Sequence, residues 1–106
     1  VYPIHSESSE EDYTAGEMDN PEMVRMNGSF WNDVAQFHML SYLGKWWCGA
    51  PARFPDADVV RFTRMTLDRG GVITWDVPRE INGMIPEPFV RQLKLAGEVA
   101  AARRGR

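Results

Sequence analysis

Carboxylates and tryptophans are the side chains here whose type and placement suit chemistry. Glu17 closes the run Asp12-Tyr13-Thr14-Ala15-Gly16-Glu17, just after Glu10 and Glu11, and Asp76 ends the apolar run Val72-Ile73-Thr74-Trp75. A carboxyl group holds its proton near neutral pH only where apolar burial or a neighbouring carboxylate raises its pKa. Neighbouring acids and aromatics offer Glu17 both, although the ordinary state of such a residue is a solvated loop carboxylate. Asp76 suits either the capping of nearby polar groups or a direct hydrogen bond to a ligand. Trp46 and Trp47 are adjacent, so on a strand they point to opposite faces. One is expected in the core, and the other lines a binding surface, where an aromatic face packs on the C–H face of a sugar ring. Arg53, close behind, is placed to hold a loop carboxylate, a ligand hydroxyl or a surface ion pair.

His5 and His38 lack the partner spacing of a metal site, so neither a metal nor another cofactor is expected. His38, in an apolar stretch, reads as a hydrogen-bonded packing residue. Cys48 is the only cysteine. It excludes an internal disulfide and a thiolate cluster, reads as a small buried hydrophobe, and leaves the compartment open.

The elements that must position these groups follow from periodicity. Val1 to about Asn27 lacks it, and His5 to Asp12 reads as an exposed loop. A structureless stretch of that length suits an active-site loop of a larger fold. From Phe30 to Trp47 the apolar density rises. Trp31, Val34 and Phe37 fit helical turns, while Gln36 to Leu43 fits a strand equally well. Gly44, Gly49 and Pro51 break the pattern. A helix is expected over 57–67, with Asp56 as N-cap, Gly70-Gly71 as its exit, and a buried stripe of Val59, Phe62 and Met65 beside Val60 and Leu67. Val72 to Val77 reads as a strand covered on both sides, with Trp75 in the core, ended by Pro78. Asn82-Gly83 is a turn, and Pro86 opens a second helix to about Ala102 with a face of Phe89, Val90, Leu93, Ala96, Gly97 and Ala100. Arg103, Arg104 and Arg106 follow as a solvated end.

Helix, strand, helix is the rhythm of a parallel α/β sheet, but one clear strand cannot complete such a sheet. The chain is therefore expected either to be part of a longer protein or to self-associate. Its 106 residues are 43% hydrophobic and 25% charged with net charge -3, an ordinary globular balance without general attraction to nucleic acid or anionic membrane. No apolar run is long enough to span a bilayer.

The run Gly70-Gly71-Val72-Ile73-Thr74-Trp75-Asp76-Val77-Pro78, then Asn82-Gly83-Met84-Ile85-Pro86 and a Leu93-containing helix, resembles the end of the α-L-fucosidase catalytic barrel. Asp12 to Glu17 resembles that family's segment ending in a general acid/base glutamate, and the resemblance extends over roughly Asp12 to Val99. It implies the closing βα units of a (β/α)8 TIM-type barrel, with residues 1–29 as an active-site loop region and 30–106 as closing strands and helices. It further implies a retaining glycosidase acting on α-linked fucose or a related deoxysugar. Glu17 would be the acid/base, with Trp46, Trp47, Asp76 and Arg53 contacting the sugar. Asp76 stands where the family commonly has Asn, and no residue of this sequence matches the family's nucleophile. An isolated chain is thus expected to be inactive, and the competing expectation is a small carbohydrate-binding or oligomerising α/β protein.

Overall fold

A computed structural model describes residue 13 and residues 16–22, 31–32, 35–47 and 49–104. Among these residues six short strands and two helices follow in order: β1 (Trp31–Asn32), β2 (Ala35–Gln36), β3 (His38–Tyr42), β4 (Gly44–Trp46), β5 (Gly49–Ala52), α1 (Asp56–Asp68), β6 (Val72–Asp76) and α2 (Glu87–Arg104). The protein is a small α/β domain, and no closed barrel forms among the described residues. Those residues divide into two compact units, one drawn from Val1–Ser41 and Met65–Thr74, the other from Tyr42–Arg64 and Trp75–Arg106. No described helix is long and apolar enough to cross a membrane.

β3 pairs with β6. Val72 N–H donates to the Phe37 carbonyl at 2.9 Å and Leu43 N–H to the Asp76 carbonyl at 3.0 Å, so the two strands run parallel. The described residues between Trp31 and Trp46 therefore form strands: β1 and β2 make a short antiparallel ladder, as do β4 and β5. The helical spacing of Trp31 and Phe37 is coincidental, because Trp31 is the register partner of Gln36. Val34, Cys48 and the His5–Asp12 run lie outside the described residues. Gly44 and Gly49 act as a hairpin's close-approach residues rather than as breakers, since a Cβ on Gly44 would overlap the Gly49 carbonyl oxygen.

In the first unit, part of the expected loop is extended backbone. Met18 N–H donates to the Leu40 carbonyl and Leu40 N–H to the Gly16 carbonyl, both at 2.9 Å, with parallel bridges at Tyr13–Gln36 and Glu17–Leu40. Met18, Phe37 and Met39 are fully buried beside this backbone ladder. Gly16 has φ +71°, and a Cβ there would overlap the His38 carbonyl, so the third strand-like segment passes only as glycine. Expected coverage of β6 on both faces fails here: Val72 is 42% exposed and Thr74 is exposed. Full burial would need both faces of the strand covered.

In the second unit the core is Leu43, Val59 and Phe89, with Ala52, Phe54, Trp75, Val77, Leu93 and Ala96 packed against it. Each of the three central side chains contributes about 1.5–3 kcal/mol by leaving water. Trp75 also anchors through its indole N–H, which donates to the Thr63 hydroxyl at 3.0 Å, and that hydroxyl donates to the Val59 carbonyl at 2.7 Å. Thr63 and Thr66 thus occupy the buried face of α1 that the apolar pattern assigned to Met65 and Leu67, both only partly buried. On α2, Gln92 is buried and Gly97 exposed, reversing their expected sides. Gln92 Nε2 repays its burial by donating to the Phe54 carbonyl at 2.8 Å and to Asp56 at 3.1 Å.

The helix ends are settled by named groups. α1 leaves through Gly70 at φ +76°, with Gly71 N–H donating to the Thr66 carbonyl and Gly70 N–H to the Leu67 carbonyl, the paired bonds of a Schellman end. Its start differs from expectation. The Pro55 carbonyl accepts from Asp58 and Val59 N–H groups, which puts Asp56 one position inside the helix. Its carboxylate accepts instead from Arg91 Nε at 2.8 Å and Gln92 Nε2 at 3.1 Å, tying α1 to α2. Pro86 likewise sits just before α2, its carbonyl accepting from Phe89 and Val90 N–H groups. Asn82-Gly83 turns as expected, with Gly83 at φ +87° and the Asn82 side chain accepting from Met84 N–H.

Hydrogen bonds from Arg91, then from Gln92, hold the Asp56 carboxyl below the usual range. A depressed folded-state pKa adds stability that is present above the unfolded value, about 3.9, and lost as pH falls through the folded one. Asp56→Asn should therefore lower the denaturation midpoint at pH 7, and the gap from the parent chain should close on acidification. An equal gap at both ends of the titration contradicts this pairing. Gly16→Ala should cost more than about 3 kcal/mol, combining a left-handed backbone with overpacking. Gly83→Ala, with nothing within 4 Å of the added Cβ, should cost only about 1 kcal/mol. Equal losses in urea melts would refute that contrast.

Candidate functional site

The second unit holds a cleft of about 690 Å³ lined by Trp47, Asp76, Val77, Pro78, Arg79, Ile81, Gly83 and Ile85. Three pieces of chain build it. The β4–β5 hairpin delivers Trp47, whose ring lies 4.6 Å from that of Tyr42 at 45°. The end of β6 delivers Asp76, whose backbone carbonyl is fixed by Leu43 N–H. The segment after β6 turns at Asn82-Gly83, closed by Glu80 N–H donating to the Met84 carbonyl at 2.7 Å, and carries Ile81, which is fully exposed, and Ile85, 37% exposed, along the open rim of the cleft.

Among the described lining residues Asp76 is the only carboxylate and Arg79 the only cation. Burial pushes the Asp76 carboxyl above its ordinary range. A carboxyl so placed offers one O–H donor and remaining acceptor capacity when protonated, and an acceptor pair when ionised. Beside it stand an aromatic ring and aliphatic side chains. The arrangement suits a small ligand with hydroxyl groups on one side and C–H groups on another.

Of the residues expected at a site, Trp47 and Asp76 are brought into one cleft. Trp46 is not among the lining residues; it is 58% exposed on β4. Arg53 is held between rings, with its guanidinium carbon 3.8 Å from the Tyr42 centroid and 4.2 Å from that of Phe54. Its Nη2 donates to the Tyr42 carbonyl at 3.2 Å, so its visible work is to brace the hairpin. Glu17 is an exposed residue of the first unit, on the parallel bridge to Leu40, and does not line this cleft. Ile81, Ile85 and Arg79 were not singled out as site residues. They flank a turn signal, and the aliphatic side chains gave no chemical cue in the sequence.

A smaller hollow of about 240 Å³ in the first unit is lined by Tyr13, His38, Val72 and Thr74. His38 Nε2 and Thr74 Oγ1 share a 2.9 Å hydrogen bond, and Tyr13 meets the His38 ring edge-on at 5.5 Å. His38 is thus the hydrogen-bonded packing residue expected. Among the described residues no group of three or more His, Cys, Asp or Glu is placed to hold a metal ion.

A raised folded-state carboxyl pKa leaves stability intact below the unfolded value and removes it as pH rises through the folded one. Asp76→Asn should therefore gain stability relative to the parent chain between acid and neutral pH. Carboxyl carbon NMR should show Asp76 titrating above the usual midpoint of about 3.9. A midpoint at or below that value contradicts the buried setting.

No protein-family model, curated protein or solved structure matches this chain.

Proposed function

We propose that this chain supplies the sugar-binding part of a retaining glycoside hydrolase resembling the α-L-fucosidases. The cleft after β6 takes a terminal α-linked fucose or a related deoxysugar. The observation that carries the reading is the joint placement of Trp47 and of Asp76, its carboxyl pKa raised by burial, in one cleft with aliphatic side chains. A pyranose offers C–H faces to the indole and the isoleucines, and hydroxyls to the carboxyl.

The chain would then be the closing βα units of a (β/α)8 barrel. Support comes from the parallel β3–β6 pair, joined through the β4–β5 hairpin and α1, and from the position of the cleft at the C-terminal end of β6, the edge where such barrels hold their ligands. Glu17 enters as acid/base on the resemblance alone. Retaining hydrolysis needs two carboxyl groups about 5–5.5 Å apart. Among the described residues the cleft is lined by one, which favours a second reading for the isolated chain: sugar binding without hydrolysis.

Calorimetric titration of the 106-residue chain with L-fucose tests this. Millimolar-range binding is expected, weakened about tenfold by Trp47→Ala, which corresponds to about 1.4 kcal/mol. An aryl fucoside should remain uncleaved. Absent binding, or equal affinity in the Trp47→Ala chain, contradicts the cleft assignment, and turnover contradicts the single-carboxyl argument.

A further inference from the structure

Two opposite charges line the cleft and do not meet. Among the described residues the Asp76 carboxyl has no ion pair, and burial alone shifts it, with no contribution from a neighbouring cation. Arg79, exposed on the same lining, donates from Nη1 to the carbonyl of the adjacent Glu80 at 3.3 Å. That long contact leaves most of its N–H donors to whatever enters the cleft. Three other arginines of this unit are spent on the fold. Arg91 pairs with Asp56, Arg61 with Asp58, and Arg53 lies between two aromatic rings.

The backbone on either side of Arg79 is held. Pro78 is buried against the β4–β5 hairpin, where a Cβ on Gly44 would come within 2.8 Å of its Cγ. Beyond Arg79, Gly83 N–H donates to the Glu80 carbonyl at 2.8 Å and Glu80 N–H to the Met84 carbonyl at 2.7 Å. The cation therefore starts from a fixed point on the cleft lining, three residues after the carboxyl it does not pair with.

A neutral pyranose on Trp47 and Asp76 would leave that cation unmatched. A guanidinium fork holds a carboxylate through two parallel N–H···O bonds, stronger than its bonds to a neutral hydroxyl. The two charges also fix an orientation, because a ligand carboxylate is drawn to Arg79 and repelled by ionised Asp76, while a hydroxyl serves Asp76 in either protonation state. At about 690 Å³ the cleft has room beyond one sugar ring. We infer that the cleft takes an acidic sugar unit beside the fucose, with its carboxylate on the Arg79 guanidinium. The inference rests on the sugar-binding reading of the cleft and adds the charge of the unit to which the fucose is linked.

D-Galacturonate and D-galactose, which differ by a carboxylate in place of a hydroxymethyl group, are the matched probes. Each is titrated calorimetrically into the 106-residue chain at pH 7 and low salt, with L-fucose titrated separately. Galacturonate should bind about tenfold more tightly than galactose, and added salt should shrink that preference. Arg79→Gln should bring the two sugars within about twofold of each other, and Arg79→Lys should keep part of the preference. Arg61→Gln removes the same charge from the exposed side of α1, outside the cleft lining, and should leave the preference intact. The Arg79 Nε–H resonance should shift saturably with galacturonate. Equal affinity for the two sugars in the parent chain overturns the inference, as does a preference that survives Arg79→Gln or falls equally in Arg61→Gln. Absent L-fucose binding beside an Arg79-dependent preference counts against the fucose reading and supports the acidic-sugar contact.

Discussion

Leu43 joins four parts of the second unit through three groups of one residue. Its N–H donates to the Asp76 carbonyl at 3.0 Å, and its carbonyl accepts from Arg53 N–H at 2.9 Å. Its side chain is fully buried with Val59 of α1 and Phe89 of α2. The end of β6, the return strand of the hairpin and both helices are thereby referred to one point. A buried backbone group left without a partner costs about 1–3 kcal/mol, so slippage of either strand end would lose bonds as well as packing. The positions of Asp76 and of Trp47, four residues beyond Leu43, follow from that constraint.

The same arrangement explains how polar groups are tolerated close to the core. Thr63 both donates to the Val59 carbonyl and accepts from Trp75, and Gln92 spends its amide N–H groups on the Phe54 carbonyl and Asp56. Arg53 keeps its charge beside two aromatic faces. Each of these braces backbone that leads to the cleft, while Asp76 faces the cleft with its carboxyl shifted toward the protonated form by burial.

Much of this was legible from the residues. The two helices, the strand at Val72–Asp76, the exit through Gly70 and the Asn82-Gly83 turn followed from period, capping and turn chemistry. Trp47 and Asp76 were named from type and place. What stayed hidden depends on contacts distant in sequence. Gly44 and Gly49 punctuate the sequence like breakers, and only their mutual approach reveals a hairpin. Asp56 has the composition of a cap, but Arg91, 35 residues away, draws its carboxylate off. Glu17 sits in a run without apolar alternation, so its bridge to Leu40 could not be anticipated. Ile81 and Ile85 come to the rim only once the turn between them is folded.

The central claim is that the sugar enters between Trp47 and Asp76 at the end of β6. Its most direct test is the carboxyl carbon titration of Asp76 repeated with saturating L-fucose, with the Trp47 indole N–H followed in the same samples. The account predicts a changed Asp76 midpoint and a saturable Trp47 shift sharing one dissociation constant. An unchanged Asp76 titration with fucose bound, or shifts confined to residues outside the cleft, would contradict it.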